Sequence, residues 1–151
     1  MATSGEEIRK FRVKKLDTLR AHGIDPYPEC ASFPIRPIAE VEDNFSKILK
    51  SKKSIGVVGR VTALREHGGS AFADLFDGSG RHQIFIGKDR IGENSYQLFL
   101  ATIDVGDFLA VSGKVFLTKR KQPTIEVSKW EIVTKSLRPL PEKWHGLSDT
   151  E

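Results

Sequence analysis

Phe72, Gln83 and Glu126 together offer base-binding chemistry if the chain around each is extended. A strand sends alternate side chains to opposite faces, so residue parity sorts them. In residues 71–76, Ala71, Ala73 and Leu75 form the apolar set, which turns Phe72 outward with Asp74 and Phe76. By the same rule Ile84 and Ile86 turn Gln83 and Phe85 outward, and Ile125 and Val127 turn Glu126 and Ser128 outward. An unstacked base needs an aromatic plate and hydrogen-bonding partners for its Watson–Crick edge. Phe72 would be the plate. Gln83 both donates and accepts, as a uracil edge requires. Glu126 would accept from a base N–H or exocyclic amine, or orient an arginine. Arg60, outward by parity, and the basic turn Lys119, Arg120 and Lys121 would hold phosphates. Plainer readings stand beside these. An outward Phe on a small barrel can pack under a terminal helix, and a Glu such as Glu126 can simply keep a surface soluble.

The elements that must position these residues follow from periodicity. Residues 5–21 read as a helix with Ile8, Phe11, Leu16 and Leu19 as loosely spaced apolar anchors and Gly23 as the stop. Asp25-Pro26-Tyr27-Pro28 is extended, because each proline excludes the helical basin for its predecessor. Ile38, Val41, Phe45, Ile48 and Leu49 predict a second helix, with Pro37 near its first turn. From Ser54 the period changes to two. Val57, Gly59, Val61 and Ala63 alternate with Val58, Arg60, Thr62 and Leu64. Turns at residues 67–70 and 77–80 then separate a second strand, 71–76, from a third, 82–86.

A helix interrupts, with Tyr96, Phe99, Leu100 and Ile103 forming one apolar stripe. Two more strands follow, 108–118 and 124–133, joined by the basic turn. Five strands with a helix between the third and fourth predict a mainly β chain: an OB-fold barrel of Greek-key type with an N-terminal helical extension. The implied division is a helical extension over 1–53, the barrel over 54–134 and a linker over 135–151.

Composition sets outer bounds. The chain has 151 residues, 38% of them hydrophobic and 29% charged, which suits one domain with a buried core. No run approaches the length of a membrane span, and the first twenty residues lack the apolar stretch of a secretory signal. Cys30 is the only cysteine, which points to a reducing compartment and a cytoplasmic protein. The net charge of +4 is a mild bias towards polyanions, concentrated near residues 9–15, 50–53 and 119–121. His22, His67, His82 and His145 show no metal-ligand spacing, and His82 falls on the core side beside Ile84.

Three stretches resemble the class II lysyl-tRNA synthetase family. The first is Arg12-x-x-Lys15-Leu16-x-x-Leu19-Arg20-x-x-Gly23-x-x-Pro26-Tyr27-Pro28. The second is V-x-G-R-V at residues 57–61 with G-x-A-F-x-x-L-x-D-x-S-G-x-x-Q at residues 69–83. The third is K-S-L-R-P-L-P-E-K-W-H-G-L at residues 135–147. The resemblance implies an N-terminal anticodon-binding domain. In it Phe72 stacks the central uridine of tRNA(Lys), Gln83 contacts that base, and Glu126 and Arg60 match further binding positions. Arg65 and His67 are placed in a loop beside the anticodon. His82 departs from the aliphatic residue usual before that glutamine.

The family makes lysyl-adenylate from lysine and ATP and transfers lysine to tRNA, with ATP and Mg²⁺ held by a larger catalytic domain. The resemblance therefore implies no catalytic residue, cofactor or metal site in this chain and no aminoacylation by it alone. It further implies a homodimeric full-length enzyme, with the fragment a monomer. Two other readings stay open. One is an OB-fold that holds single-stranded nucleic acid without sequence preference. The other is a protein-interaction module built on an apolar patch of Phe72, Phe76 and Phe85.

Overall fold

A computed structural model describes residues 4–139. Helix α1, Gly5–Ala21, begins at a capping box in which the Ser4 hydroxyl accepts from the Glu7 N–H and the Glu7 carboxylate accepts from the Ser4 N–H. Gly23, at φ +74°, ends it in the left-handed region. Leu16 and Leu19 are buried as the pattern requires, but Phe11 is 60% exposed and Arg12 takes the inner position. The reason is polar. The Arg12 guanidinium donates to the carbonyls of Val105, Ser136 and Arg138, so its charge is buried with partners.

The single helix expected after Pro37 is two short ones, α2 at Ile38–Asp43 and α3 at Phe45–Ser51. Asn44 breaks them. Its side-chain amide donates to the Glu40 carbonyl and competes with the helical ladder there.

Five strands follow: β1 Ile55–His67, β2 Ser70–Phe76, β3 Arg81–Gly87, β4 Phe108–Leu117 and β5 Pro123–Thr134. They close into a barrel in the order β1-β2-β3-β5-β4. All neighbours are antiparallel except β3 and β5, whose parallel seam joins Gln83 to Thr124, Ile84 to Ile125 and Phe85 to Glu126. Between β3 and β4 lie α4, Lys88–Ile91, and α5, Glu93–Thr102. This is the OB-fold arrangement expected from the order of elements. The core holds Val57, Leu75, Ile84, Ile86, Phe99, Leu109, Ile125 and Ile132, with α2 and α3 adding Ile38, Val41 and Ile48.

Irregularities of register set which side chains face outward. A bulge in β1 between Val61 and Ala63 shifts its register on β2, so that Ala63 pairs with Asp74, Leu64 with Ala73 and Arg65 with Phe72. Unbroken alternation would put Ala63 inward and Leu64 outward. The bulge reverses them, and Leu64 packs against the core. A second bulge between Ser112 and Gly113 adjusts β4 on β5.

Candidate nucleic-acid interface

Cross-strand register assembles the outward face from two rows. One row runs Ala63, Asp74, Gln83, Thr124 and Phe116 across β1, β2, β3, β5 and β4. The next runs Arg65, Phe72, Phe85, Glu126 and Lys114. Phe72, Gln83 and Glu126, distant in sequence, therefore lie on adjacent rows of one surface, as parity predicts.

The aromatic rings touch. Phe72 and Phe85 have centroids 5.1 Å apart, Phe85 and Phe116 6.1 Å, and His67 meets Phe72 edge-on at 6.2 Å. These spacings lie in the favourable range for tilted and edge-to-face pairs, so Phe72 is held by neighbours on two sides. Phe72 and Phe85 are half-buried. Helix α1 packs on α5 elsewhere, so Phe72 does not lie beneath it.

The amide has directed partners. Arg65 Nη2 donates to Gln83 Oε1 at 3.3 Å, and Gln83 Nε2 donates to Thr124 Oγ1 at 2.9 Å. Asp74 lies 3.7 Å from the same Arg65 nitrogen. Glu126 is half-exposed, with Arg90 at 4.0 Å.

Both loops that flank this surface are positioned by hydrogen bonds. The β1–β2 turn begins just after His67, and the buried Tyr96 hydroxyl donates to the Gly68 carbonyl within it. Burial, followed by the charges of Glu66 and Glu93, holds the Tyr96 phenol above its ordinary pKa, so it remains a donor. In the β4–β5 turn Lys121 N–H donates to the Thr118 carbonyl and Thr118 N–H to the Gln122 carbonyl. Lys119, Arg120 and Lys121 are thereby displayed to solvent. That turn lies two residues from Thr124, hence beside Gln83.

Other expected residues fall elsewhere. Arg60 faces outward but sits opposite Phe76 and Phe108, five residues along β1 from Arg65. Its guanidinium lies 4.7 Å from the Phe108 ring centre, and its Nε finds no hydrogen-bond partner among the described residues. Phe76 shares that far end, so the apolar patch on the interface is Phe72, Phe85 and Phe116 rather than Phe72, Phe76 and Phe85. Arg65 and His67 belong to β1, not to a loop. His82 is buried as expected, yet only its Nδ1 has a partner, Glu42 at 2.5 Å. Its Nε2 finds none among the described residues.

Sequence reasoning turned Asp74 outward without giving it a role, and missed Thr124, Arg90 and Phe116 as parts of this surface. Parity was enough for one of them, since Val115 inward puts Phe116 outward. Among the described residues no group of three His, Cys, Asp or Glu side chains converges as metal ligands, and no helix is long and apolar enough to cross a membrane.

A five-strand barrel with a polar and aromatic outer face, flanked by its β1–β2 and β4–β5 loops, defines a class of nucleic-acid binder. The family model of the OB-fold nucleic acid binding domain matches residues 55–133, and the chain belongs to that family. Within it the chain is similar to lysine–tRNA ligases. It is 42% identical over 146 residues to that of Carboxydothermus hydrogenoformans, covering 96% of this chain and 29% of the relative. It is 40% identical over 143 residues to that of Methanoculleus marisnigri, covering 93% and 28%. For Thermotoga maritima the values are 38% over 150 residues, 97% and 30%. The resemblance carried by the sequence motifs is thus borne out, and the chain spans under a third of the length of the curated relatives it matches.

Proposed function

We propose that this face binds one unstacked base of an RNA loop, the central uridine of the tRNA(Lys) anticodon, as the anticodon-binding part of a lysine–tRNA ligase acting in the cytoplasm. The carrying observation is the half-buried Phe72 ring beside an amide whose two ends are already directed. The base stacks on Phe72, braced by Phe85 and His67. Gln83 retains one free N–H and one free lone pair, enough to meet a uracil carbonyl and its N3–H. Glu126 accepts from a neighbouring base N–H, with Arg90 beside it. Lys119, Arg120 and Lys121 hold backbone phosphates, and Arg60, at the far end of the face, meets the RNA backbone further along the strand. ATP and Mg²⁺ serve the ligase reaction of the larger protein, and no residue described here is assigned to them.

The test is fluorescence anisotropy with a labelled tRNA(Lys) anticodon stem-loop, central uridine against cytidine. Wild type and Phe72→Ala are compared at two salt concentrations. Losing the stacking plate is expected to cost about 1–3 kcal/mol, and cytidine to weaken wild-type binding by more than about 1 kcal/mol. If both loops bind alike and only salt changes affinity, the basic turn does the binding and the unspecific single-strand reading replaces this one.

A further inference from the structure

The Gln83 amide is fixed in one of its two orientations, and the chemistry of its neighbours leaves no freedom in the assignment. Arginine has no acceptor, so the amide end facing Arg65 at 3.3 Å must be the oxygen. Thr124 could donate or accept, but its hydroxyl already donates to the Gln122 carbonyl at 3.1 Å. Its oxygen therefore accepts, and the end facing it at 2.9 Å must be the NH₂. The relay runs from the Asp74 carboxylate, which holds Arg65 at 3.7 Å, through Arg65, Gln83 and Thr124 to the Gln122 carbonyl. Arg65 only donates and the Gln122 carbonyl only accepts, so the direction of each hydrogen bond between them is set.

That direction matters because uracil and cytosine differ at two adjacent edge positions. Uracil offers a carbonyl oxygen at C4 and an N–H at N3. Cytosine offers an amine at C4 and a bare nitrogen at N3. An amide meets the first pair in one orientation and the second after a half-turn about its last bond. A free glutamine would serve both bases in the same pose. We infer that Asp74 and Thr124 are positioning residues that hold the Gln83 amide in its uracil-matching orientation, and so set discrimination between uridine and cytidine without touching the base. The inference rests on the base-binding role proposed for Gln83.

Thr124→Val keeps the shape of a fully buried, β-branched strand residue and removes the hydroxyl. Asp74→Asn frees Arg65. Each is expected to reduce the uridine-to-cytidine affinity ratio by about three- to tenfold, the range carried by one neutral hydrogen bond. The change should come partly from tighter cytidine binding, which a merely loosened fold would not produce. Thr124→Ser should restore the wild-type ratio. A ratio unchanged in both variants, whether or not overall affinity falls, overturns the inference. A wild type that fails to discriminate sinks the base-binding reading instead. In that event NMR of the RNA-free chain still decides the relay. Nuclear Overhauser contacts from the Gln83 side-chain NH₂ to Thr124 support it, and contacts to Arg65 alone refute it.

Discussion

Gly113 shows how one missing side chain fixes the interface. A Cβ there would meet the Glu126 carbonyl oxygen at 1.9 Å and its carbon at 2.7 Å. Both are backbone atoms of a paired strand, so neither can swing aside. Gly113→Ala should therefore push β4 and β5 apart at the bulge and displace Glu126 from its row. We expect a loss of about 2 kcal/mol in a urea titration, near the middle of the range for overpacking. An unchanged midpoint would show that the two strands are less tightly apposed than the structure has them. At this scale the sequence was readable where strands run unbroken. Parity put Phe72, Gln83, Phe85 and Glu126 on the outer face because β2, β3 and the relevant part of β5 alternate without interruption. It could not place Arg65, because nothing in Val61-Thr62-Ala63-Leu64 announces a bulge, and one extra residue exchanges the two faces. Thr124 was hidden for another reason. Its meeting with Gln83 depends on the parallel register of β3 and β5, which no local pattern encodes.

Among the elements, the chain's exit from the barrel is fastened to its first helix. Lys135 is fully buried, and its Nζ donates to Asp104 and Asp107, each at 2.7 Å. Lys15 of α1 donates to the same Asp104 at 2.6 Å, and Ser136 N–H donates to Asp107. The Tyr27 hydroxyl closes the cluster on the Lys135 carbonyl. Sequence reasoning began the linker at Lys135, where the stretch K-S-L-R-P-L-P-E-K-W-H-G-L starts. Two aspartates in the α5–β4 turn let this lysine be buried, because an ammonium with two carboxylate partners is no longer an unpaired charge. The rest of that stretch, residues 140–147 with His145, lies outside the described residues. Lys135→Met should leave the fully buried Asp107 without its cation, while Asp104 keeps Lys15, at about 3–5 kcal/mol. Adding Asp107→Asn should recover part of this loss in chemical denaturation, because a neutral amide is less costly to bury. A double variant no more stable than the single one would mean that the cluster's value is packing rather than charge.

For the whole molecule, the OB-fold was legible because element order alone distinguishes it. The attachment of residues 4–53 to the barrel was not, since it depends on carboxylates that meet partners far away in sequence. Asp77 accepts from the Ile38 N–H at the head of α2, Glu131 from the N–H and hydroxyl of Ser32, and Asp104 from Lys15 of α1. Burial pushes each of these carboxyls up. Hydrogen bonds outweigh it, from Ile38, Ser79 and Gly80 at Asp77, from Ser32 at Glu131 and from Lys135 and Lys15 at Asp104. Each carboxyl ends below its ordinary value, 3.8 for the aspartates and 4.5 for Glu131. The sign follows from linkage. A carboxyl with a depressed folded-state pKa stabilises the fold above its unfolded value, and that contribution is lost as pH falls through the folded value. All three therefore act fully above about pH 5 and weaken together below it. Because every one of them joins the N-terminal segment to the barrel, acid should loosen that segment before the barrel itself. Hydrogen exchange followed by mass spectrometry, corrected for the intrinsic rate, is expected at about pH 3 to show lost protection in α1 and α2 while β1 to β5 keep theirs. If protection falls uniformly, the arm and barrel form one cooperative unit and these three contacts do not define a separate layer of stability.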